Sequence, residues 1–258
     1  MRTRATKQQI AVTIGLLIAI AAAGFWWWPH IRWSYMLSRN NIKIAPVKVV
    51  EMPPAKPVAG WYTCRAGAVT FQLPPAMAEE AERTVSATPQ ALTLTTATHE
   101  LTVLVSTEVA PNYQPFLEQL AATMHFSPIQ FIAESFRTGT DDFRWTMSRT
   151  ELYRYQMLLN LSSVYPHENV VAVETTSDAA KEGNLVRHDS GSQAMFEWRL
   201  KSGKTAGFLR FRAIQGELNV DDVRAACQSV TCDETKLGPA LSKRQLAVLA
   251  DTLEITPN

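Results

Sequence analysis

The arrangement of apolar and polar positions begins with one uninterrupted apolar run. The run covers residues 10–28 (IAVTIGLLIAIAAAGFWWW) and contains no formal charge. As a helix rising about 1.5 Å per residue it is about 28 Å long, close to the roughly 30 Å hydrocarbon thickness of a bilayer. The pattern therefore predicts a transmembrane signal-anchor helix at 10–28, preceded by a short basic tail at residues 1–9.

Aromatic side chains gather at the end of this run. Trp26, Trp27 and Trp28 close it, and Trp33 follows shortly afterwards. Because amphipathic rings concentrate at the level of the lipid headgroups, we expect these four tryptophans to anchor the helix at the membrane interface. We expect Pro29, which lacks an amide hydrogen, to limit continuation of the helix.

A cleaved secretory signal is the alternative interpretation of the same segment. Its basic start and the small residues Ala19, Ala21 and Ala23 suit such a signal. The anchor is favoured because the apolar run continues through Phe25 and the tryptophans. Both interpretations export the rest of the chain, so we predict a single-pass membrane protein with its large domain outside the cytoplasm, or a secreted or periplasmic domain after cleavage.

The stretch at 29–59 has a different composition from the sequence on either side. It begins as an aromatic juxtamembrane segment and then contains Pro46, Pro53, Pro54 and Pro57. Closely spaced prolines favour extended chain and disfavour helix. We therefore predict a semi-rigid spacer, followed by a folded domain at 60–258.

Periodicity within 60–258 predicts an α+β domain in which a helical insert packs on an antiparallel sheet. The predicted strands are Ala68–Leu73, Ala91–Thr95, Leu101–Val109, Val170–Glu174, Leu185–His188 and Leu253–Ile255. The predicted helices carry the stripes Phe116, Leu117, Leu120 and Met124, then Ile129, Ile132 and Phe136, then Leu152, Tyr155 and Leu159, and two more span Asp221–Cys227 and Ser242–Asp251. Ser148 and Glu151 form a capping-box pattern at the start of the third helix. The rings of Phe143, Trp145, Tyr153 and Tyr155 are expected to pack the helices onto the sheet, with a contact surface as the alternative.

A hairpin is predicted where Gln193–Lys201 and Lys204–Ile214 flank Ser202–Gly203. With that turn, Trp198 lies opposite Gly207, and the apolar residues of both strands share one face. The other face carries Arg199, Arg210 and Arg212. These three guanidinium groups are candidates for binding an anionic partner, with solvated strand positions as the alternative.

Charge is distributed unevenly along the chain, although the formal net charge is +1. Residues 1–43 contain six basic and no acidic residues, and the rest of the chain contains 19 basic and 24 acidic residues. A mildly acidic domain does not suit a nucleic-acid partner, which needs many phosphates neutralised. The asymmetry instead supports a membrane segment followed by an exported domain.

The chain contains three cysteines, Cys64, Cys227 and Cys232. In an exported domain, a disulfide between Cys227 and Cys232 is favoured by their short spacing, and pairing of Cys64 with either stays open. The sequence contains no CxxC pair and no HExxH pattern, which are the common signatures of zinc sites. We therefore predict no metal, no cofactor and no catalytic residues.

Three function classes follow from these patterns. The favoured one is a membrane-anchored, non-catalytic module that binds an envelope protein or a ligand and contacts the lipid bilayer through its helix. The second is an exported, hydrolase-like enzyme whose site residues are scattered in the sequence. The third is a subunit of a membrane complex.

Overall fold

A computed structural model describes residues 7–40, 42–54, 60–66, 68–78, 84–87, 92–106, 118–119, 122–164, 169–202, 205–236 and 253–257. Within these residues the chain is an α+β protein with a long N-terminal apolar helix, α1 (Lys7–Arg39). The stretch Thr13–Arg39 has a hydropathy of 1.5 and is long enough to cross a bilayer, properties that a signal sequence shares. The further helices are α2 (Pro75–Ala78), α3 (Pro128–Arg137), α4 (Arg149–Val164) and α5 (Val220–Ser229).

The larger sheet has the strand order β1-β7-β8-β9-β10-β6-β5-β4. Its strands are β1 (Lys48–Glu51), β4 (Thr84–Ala87), β5 (Leu92–Thr95), β6 (His99–Ser106), β7 (Val170–Ser177), β8 (Lys181–His188), β9 (Gln193–Leu200) and β10 (Ala206–Ala213). The expected antiparallel sheet is mixed, because β1 pairs parallel with β7.

A smaller sheet has the strand order β11-β3-β2-β12. It consists of β2 (Tyr62–Ala66), β3 (Val69–Leu73), β11 (Thr231–Cys232) and β12 (Leu253–Pro257). Side chains of both sheets and of α5 form the main apolar core, which includes Phe71, Trp198, Phe211 and Val223. The second sheet was not expected, because the sequence pattern revealed β3 and β12 but neither β2 nor β11.

The predicted hairpin register is confirmed: Trp198 pairs with Gly207, and Phe196 pairs with Leu209. Gly207 is required by close packing, since a Cβ there would lie 2.6 Å from the Trp198 ring and 2.5 Å from the Leu104 carbonyl oxygen. Gly203 of the predicted turn lies outside the described residues.

Helix α3 lies on the other face of the larger sheet and α4 packs against α3, as expected for the predicted helical insert. The predicted stripe of Ile129, Ile132 and Phe136 packs against Val173 and Val186 of the sheet. The capping box at the start of α4 is also confirmed, since the Glu151 amide donates to the Ser148 hydroxyl at 3.2 Å and the Ser148 amide donates to the Glu151 carboxylate at 2.7 Å. The stripe with Phe116, Leu117 and Leu120 and the helix Ser242–Asp251 lie outside the described residues.

Two expectations about the segment after residue 28 were wrong. Helix α1 continues through Pro29 to Arg39. The stretch expected to be a spacer contains β1, whose residues Lys48–Glu51 pair with Ala172–Thr175 of β7. The folded part of the chain therefore begins well before Gly60.

Candidate functional site

The C-terminal part of α1 is built into the folded domain. Trp33 is 8% exposed and shares a small apolar core with Leu152, Tyr155 and Leu159 of α4. Its ring meets the edge of the Tyr155 ring at 6.2 Å between centroids. Trp33 was expected at the membrane interface, and its burial corrects this assignment: it attaches α1 to the domain.

Exposed aromatic rings surround the point where α1 enters the domain. We call Phe25, Trp26, Trp27, Trp28 and Trp145 the aromatic collar; all five are exposed, Trp145 to 48%. Trp145 belongs to the loop before α4, and its ring centroid lies 6.3 Å from that of Trp27. The expectation that Trp145 packs a helix onto the sheet was therefore wrong. The collar combines four residues of α1 with one from the domain.

Arg149 links the collar to α4. Its guanidinium group lies 4.6 Å from the Phe25 ring centroid and 5.0 Å from that of Trp26. The same group donates a 2.8 Å hydrogen bond to the Phe25 carbonyl oxygen. His30 makes a second link, because its Nε2 donates to the Met147 carbonyl oxygen at 2.8 Å.

We call the contacts of α1 with α4 and the loop before it the junction. Tyr155 lies at the buried end of the junction. Its hydroxyl donates to the Thr140 carbonyl oxygen at 3.1 Å. Burial raises the pKa of Tyr155 to about 12. The phenol therefore stays protonated at physiological pH and acts as a structural donor.

The structure places the predicted arginine face on β9 and β10. Arg210 and Arg212 are exposed, and Glu100 lies opposite Arg212 in the sheet. The Arg199 Nη2 atom lies 3.9 Å from a carboxylate oxygen of Glu118. Each end of the face therefore has an acidic neighbour, and binding of an anionic partner there stays a prediction.

The three cysteines, all among the described residues, carry thiols, so the Cys227–Cys232 disulfide is not formed in the structure. Cys64 and Cys227 are buried, and Cys232 is half-buried. Burial raises the pKa of Cys227, and it raises that of Cys232 to about 12. Because the thiolate is the reactive form, neither Cys227 nor Cys232 has the character of a nucleophile.

Buried charges tie α5 to the larger sheet. Glu174, which is 0% exposed, accepts hydrogen bonds of 2.6 and 2.7 Å from Arg224, and the Nε of Arg187 lies 2.9 Å from the same carboxylate. The ammonium group of Lys181 donates to the carbonyl oxygens of Gln228 and Val230 at the end of α5, both at 2.7 Å. Because the Glu174 carboxylate and the Lys181 ammonium group already have partners within the protein, we assign these contacts a structural role.

A cavity of about 410 Å³ lies between α3 and strands β7 and β8. Ile129, Ala133 and Glu134 of α3 form one wall, and Thr175 and Ser177 of β7 line another side. Glu182 and Asn184 of β8 also line it. Sequence reasoning missed this site, because it began the strand at Leu185 and left both polar residues outside. The available signal was a period of two, which places the polar residues Glu182 and Asn184 on one face of a strand and Gly183 on the other.

Within the described residues, no group of three or more His, Cys, Asp or Glu side chains is suited to holding a metal ion. No family model, curated protein or solved structure matches the chain.

Proposed function

We propose that this chain is a single-pass membrane protein whose α+β domain is fixed at the bilayer surface outside the cytoplasm. There it acts as a non-catalytic module that binds a ligand or another protein. The observation that carries the proposal is the junction: one helix supplies the apolar run, the exposed aromatic residues and part of a buried core of the domain.

The aromatic collar favours a retained anchor over a cleaved signal. Cleavage after Ala23 would leave Phe25 and three consecutive tryptophans in water, all of them exposed on α1. Contiguous apolar patches of this kind mark surfaces that contact a protein or a membrane. Lipid headgroups accommodate Trp side chains well, because the ring is apolar and its N–H is a hydrogen-bond donor.

The junction also favours a fixed position for the domain. Helix α1 continues without a break from the apolar run into the core formed with Leu152 and Leu159. A flexible tether would let the domain move away from the bilayer, whereas a continuous helix holds it there. Trp145 would then enter the interfacial layer beside Trp27.

Membrane fractionation and protease protection test this proposal. We expect the full chain to stay with membranes after an alkaline carbonate wash. Protease added to intact cells should degrade the domain and leave an N-terminal tag protected. A matched variant, Leu17→Arg with Ile18→Arg, places two charges in the apolar run and should reduce membrane retention strongly. A soluble mature form that starts after Ala23 would overturn the anchor and support secretion.

A further inference from the structure

We propose that the cavity between α3 and strands β7 and β8 binds a small organic cation, such as a molecule with an alkylammonium group, through the carboxylate of Glu182. This inference rests on the proposed function, because it names a ligand class for the same binding domain.

Glu182 is a buried residue that lines the cavity. The residue is 7% exposed, its carboxylate oxygens are accessible from the cavity, and within the described residues they have neither a hydrogen-bond donor nor an ion-pair partner. Asn184, on the same face of β8, donates through Nδ2 to the Ile129 carbonyl oxygen at 2.8 Å. Since this contact is with α3, the side chains of this face point toward the helix and the cavity.

The second acceptor at this site is Asn184 Oδ1, which is buried and has no hydrogen-bond donor within the described residues. A buried acceptor such as Asn184 Oδ1 is nearly always hydrogen-bonded, and a carboxylate that opens into a half-buried cavity favours a ligand with a counter-charge. Two neighbouring acceptors that both lack donors therefore indicate a ligand that supplies donors. An ammonium group carries three N–H donors and the missing positive charge.

Charges around the cavity are consistent with a cationic ligand. Arg199 lies opposite Glu182 in the sheet, but its Nη2 atom is 3.9 Å from Glu118. Arg137, on the cavity wall, is paired with Glu134. Buried Glu197 lies opposite Asn184 in the sheet.

The shape of the cavity favours an organic cation over a metal ion. Its volume of about 410 Å³ lies in the range that small-molecule ligands occupy. Ile129, Ala133 and Phe126 provide apolar lining for an alkyl chain. Within the described residues, no cluster of His, Cys, Asp or Glu side chains suits a metal ion.

Calorimetric titration of the full chain in phosphatidylcholine nanodiscs tests the inference, with 1,5-diaminopentane as the probe and uncharged 1,5-pentanediol as its control. Empty nanodiscs correct for binding to lipid. We expect the diamine to bind at least tenfold more tightly than the diol. Equal binding of the two probes would overturn the ligand class and leave the membrane-fractionation result unaffected.

Glu182→Gln removes the charge with little change in shape. We expect at least tenfold weaker diamine binding, since hydrogen bonds to charged groups are strong. We also expect a higher Tm of the ligand-free protein, because a poorly solvated charge without a counter-charge is lost. Glu100→Gln, which removes the same charge on β6, should stay within about twofold of the unsubstituted chain. Unchanged diamine affinity in folded Glu182→Gln, or a lower Tm, would contradict the proposal.

Ala133→Leu provides a second variant that keeps Glu182. Ala133 is buried and lines the cavity, so the larger side chain should fill part of the volume and weaken diamine binding at least tenfold. Near-UV circular dichroism confirms folding of both variants. Full diamine binding by folded Ala133→Leu would place the binding site elsewhere.

Discussion

At the scale of single residues, Arg149 accounts for the continuation of α1 through Pro29. In an α-helix the amide of residue 29 would donate to the carbonyl of Phe25, and proline has no amide hydrogen to give. Arg149 supplies the missing donor at 2.8 Å from that oxygen. A side chain 124 positions away thus repairs the hydrogen-bond pattern that the proline breaks.

Replacing Arg149 should weaken the junction. We expect Arg149→Met to lower the free energy of unfolding by about 1 kcal/mol, because the Phe25 carbonyl loses its donor. Arg149→Lys should recover part of this, since lysine donates but lacks the planar group that stacks on aromatic rings. Urea unfolding in micelles measures the effect, with Arg210→Met on the exposed strand surface as control. Equal stability of the Arg149→Met and Arg210→Met variants would contradict the assignment.

The cluster of Glu174, Arg224 and Arg187 should be sensitive to loss of its buried carboxylate, Glu174. We expect Glu174→Gln to lower the free energy of unfolding by about 3 kcal/mol, because Arg224 and Arg187 lose their buried counter-charge. The control is Asp221→Asn, which removes the exposed acidic partner of Arg224 and should change stability by less than about 1 kcal/mol. Denaturant unfolding compares the two variants. A similarly small decrease in the free energy of unfolding for both would show that the buried contacts of Glu174 contribute little to stability.

Tyr155 should make stability depend on alkaline pH. Its pKa is raised to about 12 by burial, so the folded state binds its proton more tightly than the unfolded state does. This contribution is complete below the ordinary pKa near 10 and is lost as the pH rises toward 12. Tyr155→Phe should unfold about 1 kcal/mol more easily at pH 8 and lose less stability between pH 8 and 11. Parallel pH dependence in both proteins would contradict the assignment.

At the scale of elements, local patterns predicted what local physics determines. The period of two along Gln193–Lys201 and Lys204–Ile214 fixed the pairing of Trp198 with Gly207, because a slip by one residue would turn the apolar side chains outward. Ser148 and Glu151 predicted the start of α4, because a capping box uses side chains three residues apart.

Elements that depend on distant partners could not be predicted in this way. Strand β1 has proline-rich flanks and acquires its hydrogen bonds from β7, more than a hundred positions later. The continuation of α1 depends on Arg149, and the cavity forms where α3 lies over Glu182 and Asn184. The sequence contains all these residues, but their local pattern carries no information about the partner.

Gly207 tests the packing of β9, β10 and β6. A Cβ at this position would lie 2.5 Å from a backbone oxygen of β6, so relief requires movement of the strand itself. We expect Gly207→Ala to lower the free energy of unfolding by about 2 kcal/mol. Gly24→Ala is the matched control, because no atom lies within 4 Å of a Cβ there, and it should be neutral or stabilising. Equal thermal stability of the two variants would refute the close contact.

At the scale of the whole molecule, the domain includes part of the helix that precedes it. Trp33 and β1 both lie before Gly60, and both pack into the folded structure. A chain that starts at Gly60 loses the partner of Tyr155 and an outer strand of the larger sheet. The boundary expected from the prolines therefore falls inside the packed structure.

Truncation should reveal this boundary. We expect residues 29–258 to fold as a stable domain, and residues 60–258 to be less stable by more than about 3 kcal/mol, since removing a buried tryptophan alone has an effect of this size. Thermal unfolding followed by circular dichroism compares the two. Equal Tm values would show that α1 and β1 contribute nothing to the fold.

The central claim is that the domain is held against the bilayer at the aromatic collar, and spin-label accessibility tests it most directly. One label is placed at residue 145 in the collar and another at residue 72, where exposed Gln72 lies on the smaller sheet. The full chain carries Cys232→Ser and is reconstituted in nanodiscs. We predict that the label at 145 collides preferentially with oxygen, which concentrates in the bilayer. The label at 72 should collide preferentially with a water-soluble nickel chelate. The same nickel preference at both positions would contradict the claim, because it would place the whole domain in water.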